Sequence, residues 1–508
     1  PSLMKDIISS TSNKLFKNQD LDYESFRKLG YEVIDSIADY YTTIRDREII
    51  SRSSSKDIEA VFNDNLPIDG DDPQTIINDW ENRILPHATH IGSPRYFGFV
   101  NGSGTMMSVF ASALAASVNM NAGSWKAGPA AIEIERKCIA WMAELIGYTT
   151  NCGGLFVGGG TIANQAALTA ALHNHPMYDR ENGLQTNDQT GTFTLYMSDH
   201  EGHISIVKAA TMIGLGRNCI RRVPGHDDLT MNVDALREMV EKDISAGNIP
   251  FCVVAQVGSI NIGAIDPLEH IAQLCKEKNI WFHADGACGA VGAMLPELSE
   301  KYKGLEQADS VTLDPHKWLY ISYECGCLLV KDPAKLKRTF STAASYLQNS
   351  LPTDYKGLDY FDYGPQMSRG FIALKFWMTL RHWGKKGYQQ LLRQNIECAK
   401  HMHQLVLSSV DFLPMHLPQL FIYSFRFFPA DVREEHGEAL QQYLDLLNQK
   451  IADEITASGF AFIMTSKVKD KIVLRLSICS HRTTLDDIEQ VFNRLHLIGI
   501  KLHREKKT

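Results

Sequence analysis

One lysine stands out because of the residues around it. In SVTLDPHKWLY (310–320), Lys317 follows a strand-like run that ends at Asp314, and apolar residues resume directly at Trp318. Lysines are usually exposed, but these neighbours predict partial burial, which depresses the pKa of an amine and makes it nucleophilic. The stretch therefore predicts a reactive amine at Lys317.

A glycine-rich turn could hold an anion. GGLFVGGGTIANQAAL (153–168) predicts a strand, a turn at residues 158–160 and a helix that opens at Thr161. Glycines let the backbone approach a phosphate, and the helix N-terminus offers free N–H groups and the positive end of the helix dipole. The same letters satisfy G-x-G-x-x-A, so a dinucleotide site is an alternative, and a tight turn without a ligand is another.

Two further strand ends carry polar side chains. IWFHADGACGA (280–290) places Asp285 after a β-rich run, where it could pair with a cation, bind a metal or form a turn. MSDHEGHISIVKAA (197–210) has an H-x-x-H spacing that ends at His203, but no third ligand lies nearby, so we predict no metal and expect Asp199 to cap a helix. A buried amine, an anion site and a carboxylate together predict pyridoxal phosphate, which needs a Schiff-base lysine, amides for its phosphate and a partner for its pyridinium nitrogen.

Elements that would position these residues alternate along the chain. Between about residues 96 and 335, short β-rich runs and helical stretches follow one another, which predicts a doubly wound α/β domain with a mostly parallel sheet and a ligand site at the carboxyl ends of its strands. The predicted strands are 155–157, 192–197, 251–257, 280–284, 311–313 and 327–330.

The flanking regions differ in pattern. Residues 21–44 carry an apolar stripe at helical spacing, and residues 341–366 are rich in Ser, Tyr, Asp, Gly and Pro, which predicts a loop. We expect an N-terminal helical segment (1–95), which the resemblance described below implies to be a dimerisation segment, a large cofactor-binding domain (96–374) and a small α+β domain (375–508). The small domain should hold strands near 421–427, 460–464 and 472–478.

Composition excludes several classes of protein. The 508 residues carry a formal charge of -8 and no long basic run, so we expect no nucleic-acid partner. We find no basic segment followed by an apolar stretch at the start and no apolar run of membrane-spanning length, so we expect no membrane partner and a cytosolic location. The ten cysteines are scattered, which is typical of a reducing compartment.

Several motifs resemble one enzyme family. DPHKW, HADGA, GGGTIAN and SDHEGH are similar to those of the group II pyridoxal-phosphate-dependent amino-acid decarboxylases, within them the aromatic-L-amino-acid decarboxylase branch. The similarity extends from SPRYFGF (93–99) and NMNAGSWKAGPAAIEIE (119–135) to VLRLSIC (473–479). It implies a fold-type I, aspartate-aminotransferase-like architecture and a homodimer with a shared active site. The N-terminal helices would pack across the partner.

The resemblance also implies roles for individual residues. Lys317 would form the Schiff base, Asp285 would hold the pyridinium nitrogen, and His203 and Ala287 would lie on either side of the ring. On the phosphate side it implies Gly160, Thr161, Asp314 and His316.

Further positions would serve the substrate. Tyr346 would return a proton to the substrate Cα, whereas phenylalanine there would indicate an aldehyde synthase. Arg475 would contact the substrate carboxylate. Around the side chain the resemblance implies Phe99, Trp125 and Ser368, and serine at 368 tends to accompany histidine or tyrosine as the substrate.

Departures from the family and alternatives to it stay open. Ile260 replaces a threonine, and Cys288 stands where tyrosine is frequent. We predict decarboxylation of an aromatic L-amino acid (tyrosine, tryptophan, DOPA or a histidine-like substrate). The alternative is an acidic substrate (glutamate, aspartate or cysteine sulfinate), which would need a further cation such as Arg95 or Lys126. A nicotinamide-dependent oxidoreductase and a non-catalytic scaffold explain fewer of these residues.

Overall fold

The computed structural model describes residues 20–184, 191–341 and 358–507. This part of the chain forms two compact units, one ending at His90 and the other beginning at Ile91. The three-part division at residues 95 and 374 stays a prediction.

The N-terminal unit is helical. Helix α1 (Tyr23–Thr43) begins where the Asp22 side chain accepts the backbone N–H groups of Glu24 and Ser25, so the predicted amphipathic helix is confirmed. None of its residues is buried; within the apolar stripe Phe26 is exposed, whereas Leu29, Val33, Ile37 and Tyr41 are partly buried. Two short helices follow, α2 (Ser55–Val61) and α3 (Pro73–Asp79), and then a π-helical turn (Trp80–Ile84) and a 3-10 turn (Leu85–His87).

A seven-stranded sheet organises the second unit. Its strands are β1 (Gly153–Val157), β2 (Phe193–Ser198), β3 (Ile220–Val223), β4 (Ile249–Gln256), β5 (Trp281–Asp285), β6 (Ser310–Leu313) and β7 (Gly326–Val330), in the order β1-β7-β6-β5-β4-β2-β3. Strands β2 to β6 pair in parallel, whereas β7 runs antiparallel between β6 and β1. The mostly parallel sheet is therefore confirmed, and β1 points in the same direction as the parallel strands.

Helices cover this sheet. They are α4 (Met106–Val118), α5 (Pro129–Leu145), α6 (Gly160–His173), α7 (Ile204–Met212), α8 (Val233–Ser245), α9 (Leu268–Lys278) and α10 (Pro333–Phe340). Every residue of β4, β5 and β6 is buried, as expected for central strands with helices on both faces. Short 3-10 turns connect the elements at Arg217–Cys219, Ala290–Met294, Pro296–Tyr302, Leu305–Gln307 and Tyr360–Asp362.

A second, four-stranded antiparallel sheet lies in the C-terminal part. Helix α11 (Ala373–Leu407) leads into it and is interrupted at Gly384, where φ is +66°. The remaining elements are β8 (Phe412–Pro414), β9 (Ile422–Phe427), a 3-10 turn (Ala430–Val432), α12 (Glu438–Ala457), β10 (Met464–Val468), β11 (Lys471–Ser477) and α13 (Leu485–Lys507), with strand order β10-β11-β9-β8. The strand predicted at 460–464 was wrong, because β10 only begins at Met464. Within the described residues, no helix combines the length and apolarity that a bilayer crossing needs.

Candidate active site

The predicted residues converge at one edge of the large sheet. The carboxyl ends of β1, β2, β5 and β6 surround a cavity of about 260 Å³. Seven of the predicted residues line it: Gly160, Thr161, His203, Ala287, Asp314, His316 and Lys317. Because parallel strands end at the same sheet edge, segments far apart in sequence meet there.

The glycine turn forms the floor of this cavity. Helix α6 begins at Gly160 without a capping side chain, which leaves the N–H groups of Gly160 and Thr161 for an anion, whereas those of Ile162 and Ala163 donate to the carbonyl of Gly159. A Cβ atom added at Gly160 would lie 2.8 Å from Asp314 Oδ2 and 3.4 Å from the Cβ atom of Ala287. Glycine is therefore needed for the close approach of the turn to the other cavity walls.

Lys317 forms a buried ion pair inside the cavity. Its Nζ atom lies 2.9 Å from Asp314 Oδ2 and 3.8 Å from the Sγ atom of Cys288. Burial lowers the pKa of the Lys317 amine, but the Asp314 charge and hydrogen bond raise it more, so the pKa lies above its ordinary value. The predicted burial of Lys317 is confirmed, whereas the predicted fall in its pKa was wrong, because the chain turns back at 314–317 and places a carboxylate on the amine.

His316 packs on the opposite side of Asp314. Its Nδ1 atom accepts the backbone N–H of Cys325 at 3.1 Å, and its ring lies 4.4 Å from the ring of Tyr323. The Nε2 atom is 3.6 Å from Asp314 Oδ2, and burial lowers the pKa of His316. His316 therefore faces the cavity as a neutral ring beside the ion pair.

Asp285 lies at the end of β5, next to the cavity wall. Its Oδ1 atom accepts the backbone N–H of Ala287 at 3.3 Å, and its Oδ2 atom accepts Nδ2–H of Asn164 at 3.2 Å. Asp285 is only 4% exposed, so both hydrogen bonds are shielded from water. The carboxylate is thus held in one orientation.

His203 begins helix α7 from the other side of the cavity. Its Nδ1 atom accepts the backbone N–H of Ser205 at 3.2 Å and lies 2.7 Å from Ser205 Oγ. The predicted helix cap at Asp199 was therefore wrong, because His203 itself is the N-cap. Burial, the largest influence, lowers the pKa of His203.

Two of the predicted substrate residues lie together. Arg475, on β11, donates from Nη1 to the carbonyl of Ile260 at 2.8 Å and from Nη2 to the carbonyl of Phe99 at 3.0 Å. Arg475 is 6% exposed, and its Nε atom has no partner among the described residues. The guanidinium thus joins the small sheet to the loops after β4 and before α4.

Trp125 and Ser368 belong to a separate pair of loops. The backbone N–H of Ala122 donates to the carbonyl of Arg369 at 2.8 Å, and that of Trp125 donates to Asp359 Oδ1 at 2.8 Å. Within the described ranges, neither Trp125 nor Ser368 lines the cavity at Lys317. Tyr346 lies outside the described residues.

Sequence reasoning did not select the polar side chains beneath the cavity. Asn164 contacts Asp285 and also Ser205, and its Oδ1 atom lies 3.0 Å from His283 Nε2. The signals were the alternation of Trp281, His283 and Asp285 along one face of β5 and the position of Asn164 one turn after Gly160.

The alternative sites receive no support from the geometry. Strand β1 pairs with the antiparallel β7, so the G-x-G-x-x-A stretch does not lie in a parallel βαβ unit of the dinucleotide-binding kind. Over the ranges that the structure describes, no group of three or more His, Cys, Asp or Glu side chains is arranged to hold a metal.

Comparison with known proteins identifies the family. The model of the pyridoxal-dependent decarboxylase conserved domain matches residues 56–427. Aromatic-L-amino-acid decarboxylase of Bacillus atrophaeus is 31% identical over 483 residues, which are 95% of this chain and 97% of that protein. Histidine decarboxylase of Drosophila melanogaster is 31% identical over 479 residues, covering 92% of this chain and 54% of that protein.

A solved structure shows the same fold. Oryza sativa TDC, crystallised with PLP and tryptamine, is similar with a TM-score of 0.89 at 23% identity, covering 96% of this chain and 100% of that one. The fold-type I architecture is thereby confirmed. The chain belongs to the pyridoxal-dependent decarboxylases, enzymes that remove carbon dioxide with pyridoxal phosphate as their cofactor.

Proposed function

We propose that this enzyme decarboxylates an aromatic L-amino acid to the corresponding amine and carbon dioxide. The observation that carries the proposal is the position of the Lys317 amine in a cavity between the α6 N-terminus and Asp285. The names of the similar proteins, an aromatic-L-amino-acid decarboxylase and a histidine decarboxylase, favour an aromatic side chain. A cytosolic location stays a prediction from composition.

The side chains present fit the cofactor. The uncapped helix start at Gly160 and Thr161 suits a phosphate, and the buried Asp285 carboxylate suits a protonated ring nitrogen. The Oδ1 atom of Asp314 is buried without a partner among the described residues, so this wall can accept one more donor. Bound pyridoxal phosphate supplies an electron sink for the pair released when the bond between Cα and the carboxylate breaks.

Each cavity residue then has a defined task. Lys317 would hold the cofactor through its aldehyde. Asp285 would keep a proton on the ring nitrogen, and His203 and Ala287 would contact the ring. The buried surroundings exclude water, which strengthens the interaction of Asp285 with that nitrogen. Tyr346 returns a proton to Cα.

Arg475 is the proposed partner of the substrate carboxylate. Two of its nitrogens hold backbone carbonyls, and the unpaired, buried Nε–H group is left to donate. Phe99, whose carbonyl Arg475 binds, adds an aromatic surface beside it.

An acidic substrate receives less support. Such a substrate would need a second cation, but Arg95 donates to the carbonyl of Phe460 at 3.0 Å and lies 3.8 Å from Asp487 Oδ1. Because these contacts hold Arg95 against the small sheet, we retain the aromatic class.

An active site shared between the two subunits of a homodimer would give Trp125 and Ser368 a place at the substrate. Trp125 and Ser368 lie away from the cavity within one chain, and a second copy could supply them. Exposed apolar residues at four-residue spacing on α4 offer a surface for that copy: Met106, Phe110, Leu114 and Val118. Helix α1 offers another through its exposed apolar side chains Tyr23, Phe26, Tyr31 and Ile34. Sedimentation of the purified enzyme tests the dimer, and a monomer that retains full activity would exclude the shared site.

A substrate panel tests the proposed reaction. Release of carbon dioxide is measured with tyrosine, tryptophan, DOPA, histidine, glutamate, aspartate and cysteine sulfinate, and the products are identified by mass spectrometry. We expect turnover of at least one aromatic substrate to its amine. Turnover of glutamate, aspartate or cysteine sulfinate alone would overturn the aromatic class.

Tyr346→Phe tests the proton donor. The variant should lose amine formation and gain aldehyde, because the proton at Cα is no longer delivered. Unchanged amine output would remove Tyr346 from its proposed role.

A further inference from the structure

A chain of buried side-chain hydrogen bonds runs beneath the cavity, from Trp281 to His203. Its bonds are Trp281 Nε1 to Ser310 Oγ (2.8 Å), Ser310 Oγ to His283 Nδ1 (2.8 Å), His283 Nε2 to Asn164 Oδ1 (3.0 Å), Asn164 Nδ2 to Ser205 Oγ (3.0 Å) and Ser205 Oγ to His203 Nδ1 (2.7 Å). A branch runs from Asn164 Nδ2 to Asp285 Oδ2. Asp285 and His203, which are proposed to contact the nitrogen and the face of the cofactor ring, are therefore both joined to Asn164 through this chain of hydrogen bonds.

Local structure explains why these side chains meet. Side chains alternate across a strand, so Trp281, His283 and Asp285 lie on one face of β5. Ser310 is the register partner of His283 on β6. Helix α6 covers this face and contributes Asn164, which is 1% exposed.

The proton positions follow from the carboxylate end of the chain. Asp285 only accepts, so the NH2 group of Asn164 faces it and the Asn164 oxygen faces His283, which donates from Nε2. Burial lowers the pKa of His283 to about 4, so the ring is neutral at pH 7 and its one proton lies on Nε2. His283 Nδ1 therefore accepts from Ser310 Oγ, which in turn accepts the Trp281 N–H.

The amide of Asn164 is fixed from both ends. Its oxygen must face His283, which donates, and its NH2 group must face the Asp285 carboxylate, which only accepts. A flipped amide would place two oxygens together at Asp285 and two N–H groups together at His283. Both N–H bonds of Asn164 are thus committed, one to Asp285 and one to Ser205.

The direction of the last bond follows. His203 Nδ1 accepts the backbone N–H of Ser205, so it carries no proton, and Ser205 Oγ, which accepts from Asn164, gives its own proton to the same nitrogen. An imidazole nitrogen that accepts in this way carries no proton, so neutral His203 is protonated on Nε2 alone.

We propose that Asn164 is a positioning residue that sets the active-site geometry twice, by orienting the Asp285 carboxylate and by directing the Ser205 hydroxyl proton to His203 Nδ1, which reinforces the Nε2–H tautomer. His203 is then held in a form that donates from Nε2 and does not accept there. This inference rests on the proposed cofactor contacts of Asp285 and His203. Through Asn164 these two contacts depend on one amide.

Cofactor affinity is the first test. Apoenzyme of Asn164→Ala is titrated with pyridoxal phosphate, and Asn448→Ala is the matched control because Asn448 is a fully buried asparagine with three hydrogen bonds in the small domain. We expect Asn164→Ala to weaken binding by about tenfold, the effect of leaving a buried partner unsatisfied, and Asn448→Ala to stay within about twofold of the wild type. Equal affinities in all three proteins would overturn the positioning role at Asp285.

Histidine tautomers are the second test, and they need no bound cofactor. In 15N-histidine-labelled apoenzyme, the His203 signal is assigned by its loss in His203→Gln. We expect the Nε2–H pattern at pH 7 in the wild type and a mixture of tautomers in Asn164→Ala. A protonated Nδ1 atom in the wild type would overturn the relay.

A third comparison tests the same relay with other variants, in case Asn164→Ala folds poorly. His283→Leu removes the donor to Asn164, whereas His283→Gln offers an amide N–H in its place. We expect the leucine variant to lose cofactor affinity and the glutamine variant to recover part of it; equal losses would overturn the relay. Wild-type apoenzyme that bound no pyridoxal phosphate would instead contradict the proposed function, so the two failures are distinguishable.

Discussion

Two aspartates at neighbouring strand ends are stabilised in different ways. Asp285 ends β5 and Asp314 follows β6, and each is 4% exposed. Asp314 faces the charged amine of Lys317 at 2.9 Å and leaves its Oδ1 atom without a partner in the described chain. Asp285 accepts hydrogen bonds on both oxygens, from a backbone N–H and from Asn164.

The two carboxylates differ in whether their bonding partner is charged and takes part in the proposed reaction. Under the proposed function the Lys317 amine reacts with the cofactor, so the group that faces Asp314 would change during the reaction. Asp285 is bonded to the neutral N–H donors of Ala287 and Asn164. A buried ion pair is sensitive to the loss of one member, whereas a satisfied network of dipoles persists.

Lys317→Ala should have the largest effect. Without the amine, covalent attachment of the cofactor should be abolished and decarboxylation should fall by at least about a thousandfold, because nucleophilic catalysis at this position is lost. Borohydride reduction followed by peptide mass spectrometry detects the attachment. Lys301→Ala, which removes another partly buried amine, is the control and should retain it. Attachment that persisted in Lys317→Ala would contradict the assignment.

Asp314→Asn should change the pH dependence of attachment. The wild-type Lys317 pKa is raised because the Asp314 contribution exceeds that of burial. A neutral partner removes the largest raising contribution and leaves the lowering contribution of burial beside the smaller raising ones of Cys288 and Asp285, so the midpoint of attachment against pH should fall by at least about one unit. Asp487→Asn, a buried carboxylate of the small domain, is the control. An unchanged midpoint would mean that Asp314 does not govern the amine.

Lowering the pH should lower the free energy of unfolding, because His283 is buried as a neutral ring in the hydrogen-bond chain beneath the cavity. Its pKa in the folded protein is about 4, against 6.5 for an unperturbed histidine. Between these pH values His283 is protonated in the unfolded chain but not in the folded protein, so the free energy of unfolding falls as the pH drops from 6.5 to 4. The contribution amounts to about 3 kcal/mol of the free energy of unfolding. Urea unfolding at pH 7 and pH 4 should show a smaller loss for His283→Gln than for the wild type. The exposed His436→Gln serves as the control, and identical losses in all three would exclude His283 as the cause.

Ser310→Ala should give the smallest change. It leaves the Trp281 N–H and the His283 Nδ1 atom without partners, which should lower the free energy of unfolding by about 2 kcal/mol. Replacing the exposed Ser245 by alanine should cost less than about 0.5 kcal/mol. A Ser310→Ala protein as stable as the wild type, by the same urea titration at pH 7, would show that the network carries little stability.

Local patterns predicted much of this fold, and long-range contacts were harder to predict. The central strand β4 contains a continuous apolar run at 251–255, whereas β3 and β8 are short and lie at sheet edges, so their sequences carry weak signals. The burial of Lys317 followed from its neighbours. Its raised pKa did not, because it depends on how tightly the chain turns between Asp314 and Lys317.

In the candidate site, too, a long-range contact could not be predicted from local sequence. Motifs selected His203 and Asp285 one by one, yet nothing local to either residue indicates that Asn164 joins them. This contact arises only when α6 packs on the face of β5, so it requires the tertiary structure.

The antiparallel strand β7 has a consequence for synthesis of the protein. The anion-binding turn follows β1, whose partner in the described sheet is β7, with Gly153 opposite Val330. Because this pairing closes a long loop, β1 has no place in the sheet until the ribosome has made residue 330. A nascent chain that ended just after Lys317 would carry this lysine before the glycine turn at 158–160 had its place in the sheet. Under the proposed function, cofactor loading would therefore be a late event in the biogenesis of this enzyme.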